Sequence, residues 1–296
     1  MKFIQNIKKS FVGNYNVIGI NERNLSLIYP NNDRKFYKFA DDKVLTKEIL
    51  NKYNIPCSKT YAVIEFIGDI QAGWESVQIY DKIAIKPANG SGGGGIKILK
   101  KDKEGNWISG GKIVDLESVF LHMANIIMGQ YSLGTTDRVL IEECIIPHPF
   151  FHEIFPEGVP DFRVILLNEI PLVGMLRVPT EKSDGKANLH QGGLGIGVDI
   201  NTGKLMQAYD GKDYFDNHPD NGNMILGKDI PHWDEVLNIS INIAKNVPIK
   251  YLGVDIVIDK NLGPMIMEIN VRPGLGIQLA NKIGLRTILE QNPLIA

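Results

Sequence analysis

Residues Tyr251 to Gly274 read YLGVDIVIDKNLGPMIMEINVRPG. The stretch predicts a β-hairpin with strands at Gly253–Ile258 and Met265–Asn270, separated by a break at Asp259–Pro264 that carries Asn, Gly and Pro. Symmetric closure sets Ile258 opposite Met265 and, in the same register, Asp255 opposite Glu268. Side chains alternate across a strand, so Glu268 and Asn270 share a face, about 7 Å apart. Two carboxylates opposed across a ladder repel unless a cation lies between them. An Asp/Glu/Asn set offers oxygen ligands only, which suits a hard ion, and Mg²⁺ held by few carboxylates usually takes a substrate phosphate as a further ligand. The plainer alternative is a hairpin whose acids face water.

The rest of the chain bears on that choice. Its 296 residues are enough for one complex domain or two to three smaller ones. With 44% hydrophobic and 22% charged residues and a formal charge of −2, it has the composition of a soluble globular protein and no basic surface for nucleic acid. Cys57 and Cys144 lie far apart without metal-ligand spacing, which predicts reduced thiols. There is no signal-peptide core and no apolar run long enough for a membrane span, so a cytoplasmic enzyme is expected.

Upstream, the pattern predicts a short helix near Phe3–Val12 and a strand near Asn16–Ile20. Asp41-Asp42-Lys43 starts a helix that should run to about Tyr53 and stop before Ile55-Pro56, with acids in its first turn. Lys43 and Lys47 lie one turn apart on it, a spacing that by itself reads as a solvated face. Strands at Tyr61–Ile64 and Lys82–Lys86 follow. The second runs into Pro87-Ala88-Asn89-Gly90-Ser91-Gly92-Gly93-Gly94-Gly95 and a strand from Ile96 to Leu99. Glycine-rich backbone lets successive N–H groups approach an anion, but neither Gly-Lys-Ser/Thr nor a helix follows, as a P-loop or dinucleotide fold would need. Strand–loop–strand fits a flap over phosphates, with Lys86 aimed at them. A helix is expected over Leu116–Met128 and a buried strand over Val139–Ile146, carrying Glu142 and Glu143 near its end. A second hairpin, Asp161–Leu167 and Leu172–Val178 around Asn168–Pro171, places Arg163 and Arg177 on neighbouring strands. The loop Ser183–Gly193 is rich in phosphate-binding donors, Lys186 and Asn188 among them. A strand at Gly195–Ile200, a polar excursion at Asp210–Lys228, a helix at Trp233–Asn246 and a short helix at Ile277–Leu285 with a loose tail complete the expectation.

Taken in order, Asp42-Lys43, Ile85-Lys86-Pro87 with its glycine loop, Ile141-Glu142-Glu143, Asp161-Phe162-Arg163, Lys186–Gly193, Gly253-Val254-Asp255 and Gly263-Pro264…Met267-Glu268-Ile269-Asn270…Pro273-Gly274 resemble the ATP-grasp superfamily, and within it the RimK-type glutamate ligases and their relatives. The resemblance runs from about Asp41 to Gly284. It implies an α+β ATP-grasp fold of two α/β subdomains, with the nucleotide between antiparallel sheets. The implied layout is a short segment at 1–40 and an ATP-grasp domain at 41–290, with a small lid at about 60–140 and a metal-binding part at about 141–290. It further implies that Lys43, Lys86 and the backbone of Gly92, Gly93 and Gly94 contact ATP phosphates, that Glu142 or Glu143 meets the adenine edge, and that Asp161 holds the ribose. Arg177, Lys186 and Asn188 would line the triphosphate, and Asp255, Glu268 and Asn270 would hold Mg²⁺, two ions in the usual case, with Mn²⁺ as a substitute. The implied reaction joins an amino-acid carboxylate, glutamate being one choice, to an amine or peptide acceptor through an acyl phosphate. No nucleic-acid or membrane partner is implied; homo-oligomerisation is open.

Two departures qualify the resemblance. RimK-type enzymes begin with a separate α/β domain, whereas about 40 residues precede Asp41 here. Arg272 stands where a small residue is common, and, facing the same side as Asn270, it is a candidate for binding a substrate carboxylate or steadying an oxyanion. Two other readings compete: an ATP-grasp kinase acting on a small alcohol, and a nucleotide-binding regulatory protein without turnover.

Overall fold

The computed structural model describes residues 16–90, 92–183 and 185–292. The helix expected near Phe3–Val12 lies outside the described residues. The chain forms two compact units, Asp41–Glu48 with Cys57–Ile145, and Met1–Ala40 with Ile49–Pro56 and Ile146–Ala296.

The smaller unit contains strands β1 (Thr60–Ile64), β2 (Lys82–Pro87), β3 (Lys97–Lys101), β4 (Trp107–Ser109), β5 (Lys112–Ile113) and β6 (Val139–Glu143). They form one antiparallel sheet in the order β1-β6-β2-β3-β4-β5. Alternation along the strands decides its two faces. Ile83, Ile85, Leu99 and Ile141 are buried with Met123 and Ile126 of the helix Leu116–Ile127. Lys86, Ile98 and Glu142 fall on the other face. The helix Lys43–Lys52 begins in this unit, where Asp42 Oδ1 accepts the N–H groups of Val44 at 2.9 Å and Leu45 at 3.3 Å. That satisfies donors which a helix start otherwise leaves open.

The larger unit contains β7 (Asp161–Leu167), β8 (Ile170–Val178), β9 (Leu194–Val198), β10 (Leu205–Tyr209), β11 (Tyr214–Phe215), β12 (Tyr251–Asp259) and β13 (Gly263–Asn270), in the order β11-β10-β9-β8-β7-β12-β13. The helix Trp233–Asn246 covers one face, with the Trp233 and Phe162 rings 6.0 Å apart. Asp161 and Arg163 flank Phe162 in sequence and therefore point to the opposite face.

Several expectations change in detail. Ile258 faces Pro264 rather than Met265, because Lys260–Leu262 close a three-residue turn into Gly263, whose φ is +76°. Asp255 nevertheless faces Glu268, since the register shifts between Asp255 and Ile256 and leaves Met267 as the extra residue of a bulge. The β7–β8 turn is only Asn168-Glu169, both with positive φ, so Pro171 is a strand residue opposite Leu166. No strand forms at Asn16–Ile20: Asn16 is left-handed, and Ile20–Asn31 is helical with a π-helical run at Arg23–Ile28. Asn32 fixes this segment, donating to Tyr251 O at 2.7 Å and accepting from the N–H groups of Lys250 and Tyr251. The expected C-terminal helix is two, Gly276–Ala280 and Leu285–Gln291, with Lys282 at φ +53° in the break. β6 ends at Glu143, and both cysteines are free. No helix among the described residues is long and apolar enough to cross a membrane.

Candidate functional site

In the smaller unit the sheet register assembles a cationic cluster. Lys86 of β2 and Glu142 of β6 lie on the same face of neighbouring strands, and their side chains form an ion pair. Lys47, one turn after Lys43, reaches the other oxygen of Glu142 at 2.6 Å and also donates to Ser58 O and Oγ. Lys47 is therefore buried, contrary to the solvated face that its spacing alone suggested. The helix turns that side toward the sheet, and Glu142 compensates the desolvated charge. Burial pushes the Glu142 carboxyl up, but Lys86 and Lys47 together overcome it and hold it down at about 2. With two lysines on it, Glu142 is committed as a carboxylate acceptor and does not present an open edge to adenine. Glu143, on the opposite face, is half-buried and accepts from Lys59 N at 3.4 Å. Two cations against one anion leave net positive charge here, which suits phosphate.

The glycine loop is tied at both ends, by Lys43 and by Asp137 and His122, which the sequence reading did not single out. At its start, Asp137 accepts from Asn89 N at 3.1 Å and from Asn89 Nδ2 at 2.7 Å, and is itself bonded by Ser132. Lys43 Nζ donates to Gly90 O at 2.5 Å. At its far end, His122 Nε2 lies 3.0 Å from Gly95 O, and burial lowers the pKa of that histidine, favouring the neutral ring. Gly95 has φ +76°, and a Cβ there would lie 2.6 Å from the Tyr131 ring. Gly92 and Gly93 also have positive φ, the conformation a backbone anion cradle uses. Arg138 pairs with Asp42, and through it joins the start of the helix Lys43–Lys52 to β6.

In the larger unit the charges are arranged by cross-strand pairing. Asp161 lies opposite Arg177, Arg163 opposite Asp255, and Asp255 opposite Glu268. Arg163 grips Asp255 with a fork, Nε to Oδ1 at 2.7 Å and Nη2 to Oδ2 at 2.5 Å. Arg177 bridges both acids: Nε donates to Asp161 Oδ1 at 2.9 Å, Nη2 to Asp161 and to Asp255 Oδ2 at 2.8 Å, and Nη1 to Asn188 Oδ1 at 2.9 Å. Asn270 Nδ2 is 3.2 Å from Asp255 Oδ2 and 3.5 Å from Glu268 Oε1. The metal triad expected from the hairpin is thus brought together. Burial drives the Asp255 carboxyl up, yet Arg163 and Arg177 hold it far below the ordinary carboxylate range. Asp161, with burial and the nearby Asp255 charge against it, is raised even though Arg177 pulls it down. Two acids compete for one guanidinium, and Asp255, which also has Arg163, wins.

Asp161 is buried in its Arg177 pair, and Arg177 donates to Asp161, Asp255 and Asn188. Lys186 is exposed, on the loop that carries Asn188. Arg272 stacks on Tyr37, 4.8 Å from the ring centroid. Among the described residues no three His, Cys, Asp or Glu side chains form a metal-binding group; the third donor here is an amide. Two carboxylates and one amide fit a hard cation in ligand type. Half a turn of the Asn270 amide puts Oδ1 where Nδ2 now lies, and an arginine withdrawn from Asp255 frees an oxygen. A groove of about 770 Å³, lined by Tyr29, Phe36, Asn168, Glu169 and Lys245 among others, lies at the turn end of the β7–β8 hairpin and holds none of these residues.

Comparison with known proteins agrees at the level of fold. The D-alanine–D-alanine ligase of Bacillus anthracis, solved with ATP, aligns at TM-score 0.50 and 14% identity, over 85% of this chain and 64% of that one. D-alanyl-alanine synthetase A of Vibrio cholerae aligns at 0.48 and 10%, over 86% and 63%. The ATP-grasp ligase PsnB with a minimal precursor aligns at 0.46 and 12%, over 88% and 63%. The chain therefore spans less than two thirds of the length of these proteins, and its likeness to the D-alanine–D-alanine ligase is one of fold alone. No curated protein matches it in sequence. The family model that does match describes a sugar-transfer associated ATP-grasp branch rather than RimK-type glutamate ligases, and it covers residues 22–292. With that match and two antiparallel sheets of ATP-grasp form, the chain belongs to the sugar-transfer associated ATP-grasp family.

Proposed function

We propose that the chain is a cytoplasmic, ATP- and Mg²⁺-dependent ligase that joins a carboxylate to an amine, taking an amino acid such as glutamate as one substrate. The observation that carries this reading is the row Arg163–Asp255–Glu268 across three adjacent strands, with Asn270 beside it. It combines hard oxygen donors with a guanidinium, a pairing that suits a bound metal ion and a phosphoryl group in flight.

Asp255, Glu268 and Asn270 would hold Mg²⁺, one or two ions, whose charge offsets that of the transferring phosphoryl group. Arg163 and Arg177 position Asp255, and Arg177 also holds Asn188 of the donor loop. Lys86 and Lys43 supply positive charge to ATP phosphates, and the glycine loop, tied at Asn89 and Gly95, covers them and limits access of water. Glu142 holds Lys86 and Lys47 in place through one carboxylate. Glu143 is left as the acid nearer to an adenine edge. The carboxylate substrate takes the γ-phosphoryl group as an acyl phosphate, and the amine displaces phosphate to form the amide. No side-chain nucleophile is needed.

The family's association with sugar transfer widens the acceptor set to amino sugars. The test is a phosphate-release screen of amino acids and amino sugars, singly and in pairs, with mass analysis of products. A ligase releases both ADP and phosphate, and only with a productive pair. ADP without phosphate, on an alcohol alone, would establish the kinase reading instead.

A further inference from the structure

Arg23 lies outside both charge clusters and is buried without an acid. Only 8% of the residue is exposed. Its bonds go to neutral oxygens: Nε and Nη2 to Asn24 Oδ1 at 3.2 and 3.0 Å, and Nη1 to Pro273 O at 2.9 Å. A guanidinium has five N–H donors, so this one has donors to spare. The adjacent acid does not help, because Glu22 turns away to Arg286 at 2.6 Å. Among the described residues no carboxylate lies within ion-pair distance of Arg23 or of Arg272. Arg23 holds the carbonyl of the residue that follows Arg272; burial lowers its pKa, and the Arg272 charge adds to that against an opposing effect of Tyr251. The Tyr251 hydroxyl, close enough to feel the Arg23 charge, is buried with no hydrogen-bond partner.

An isolated buried cation costs several kcal/mol unless compensated, and a second cation beside it adds to that cost. Among the described residues the other buried cations each have a carboxylate: Lys47 has Glu142, and Arg177 has Asp161 and Asp255. The backbone is unusual at the same place, since Arg23 opens the π-helical run, a geometry that is rare and frequent at functional sites. The site adjoins the metal-ligand hairpin. Arg23 holds the carbonyl of Pro273, and a Cβ on Gly274 would lie 3.7 Å from Arg163 Nη1.

We propose that Arg23 and Arg272 form an oxyanion site, built jointly by the N-terminal helical segment and the turn after β13, that binds a carboxylate or phosphate group of the substrate other than ATP. Its assignment to that substrate rests on the ligase reading; the anion site itself does not. Tyr37, stacked under Arg272, holds that guanidinium in place without neutralising it. The segment 16–40 then supplies part of the substrate surface.

Binding is measured without turnover, by thermal shift and calorimetry of the full chain with inorganic phosphate, and in parallel with acetate. Arg23→Gln and Arg272→Gln are each expected to weaken the anion effect about 10-fold, whereas Lys204→Gln, in an exposed ion pair away from both clusters, leaves it in place. A stronger response to phosphate than to acetate marks a phosphate-bearing substrate, and the reverse marks an amino-acid carboxylate. If Arg23→Gln does not fold, Arg23→Lys, which keeps the charge and loses the fork, and the exposed Arg272→Gln decide in its place. The proposal is overturned if the native chain shows no anion effect, if the arginine variants respond like the native chain, or if Lys204→Gln weakens the response as much as either arginine variant does. A chain that binds the anion yet releases no phosphate from any substrate pair would retain this site and lose the ligase reading.

Discussion

The two buried charge clusters are built from the same kinds of group and end with opposite sign. In the smaller unit Lys47 and Lys86 share Glu142, and the balance is positive. In the larger unit Arg163 and Arg177 are set against Asp161, Asp255 and Glu268, and the balance is negative. Both keep desolvated charges paired, as burial requires, and both leave one charge over. The leftover charge is the functional signal. Excess lysine beside a glycine loop suits a polyphosphate, and excess carboxylate beside an amide suits a divalent cation. A cluster neutralised in full would be structural only.

The largest effect tests the negative cluster. Glu268→Gln removes one negative charge from the cluster while keeping the shape and the strand pairing with Asp255. Turnover is expected to fall about 1,000-fold, with little change in melting temperature. Activity within a few-fold of native would show that the surplus carboxylate has no metal to hold. The same variant should lose the Mg²⁺-dependent part of nucleotide binding in calorimetry.

The positive cluster is tested through pH. Glu142 has its pKa depressed from 4.5 to about 2, so it contributes stability that is present above its unfolded pKa and is lost as pH falls from about 4.5 toward 2. The shift corresponds to about 3 kcal/mol. Glu142→Gln is expected to be less stable than native at pH 7 by about that amount, because Lys47 and Lys86 are left buried without an anion. Its urea midpoint should also be flatter with pH over the acid range than that of the native chain. Parallel native and variant acid profiles would mean that Glu142 is not the group that couples this sheet to pH.

The two clusters also differ in how far they could be read from the chain. Asp255 and Glu268 belong to one hairpin, so period-2 alternation and a short turn nearly determine their pairing, and the bulge at Met267 corrects the only slip. Lys47, Lys86 and Glu142 come from three separate segments. A lysine one helical turn past another reads as solvated until the strand that receives it is known. The same holds for Asp137 and His122, which tie the glycine loop from 48 and 27 residues away, and for Arg23, which meets Pro273 across 250 residues. Local pattern identified the longer strands, the glycine loop and the acids, but not the strands β4, β5, β10 and β11. Which face each charged side chain takes depends on tertiary register, and that register pairs Arg177 with both Asp161 and Asp255.

A smaller effect concerns the tether of the loop that serves the positive cluster. Gly95→Ala puts a Cβ 2.6 Å from the Tyr131 ring, on a backbone at φ +76°. The left-handed conformation alone costs about 1–2 kcal/mol for a residue with a Cβ. The ring can shift only by giving up its place beside His122, 5.7 Å away. The variant should melt a few degrees lower and raise the apparent KM for ATP more than it lowers kcat, since the loop is displaced and the reacting groups are not. Equal losses in both would assign Gly95 to the chemical step rather than to covering the phosphates.

The smallest effect is expected where an ion pair has good distance and no burial. Lys204 Nζ lies 2.8 Å from Asp229, closer than many functional contacts, but the two side chains are 55% and 71% exposed. In water the attraction is screened, and holding two long side chains together costs entropy, so such pairs contribute about 0–1 kcal/mol. Lys204→Ala should therefore change the urea midpoint by a fraction of what Glu142→Gln does, and the change should vanish in high salt. If Lys204→Ala destabilised the chain as much as Glu142→Gln, desolvation could not be what makes the two buried clusters costly to leave unbalanced. The leftover charge in each would then carry no information about a phosphate or a metal.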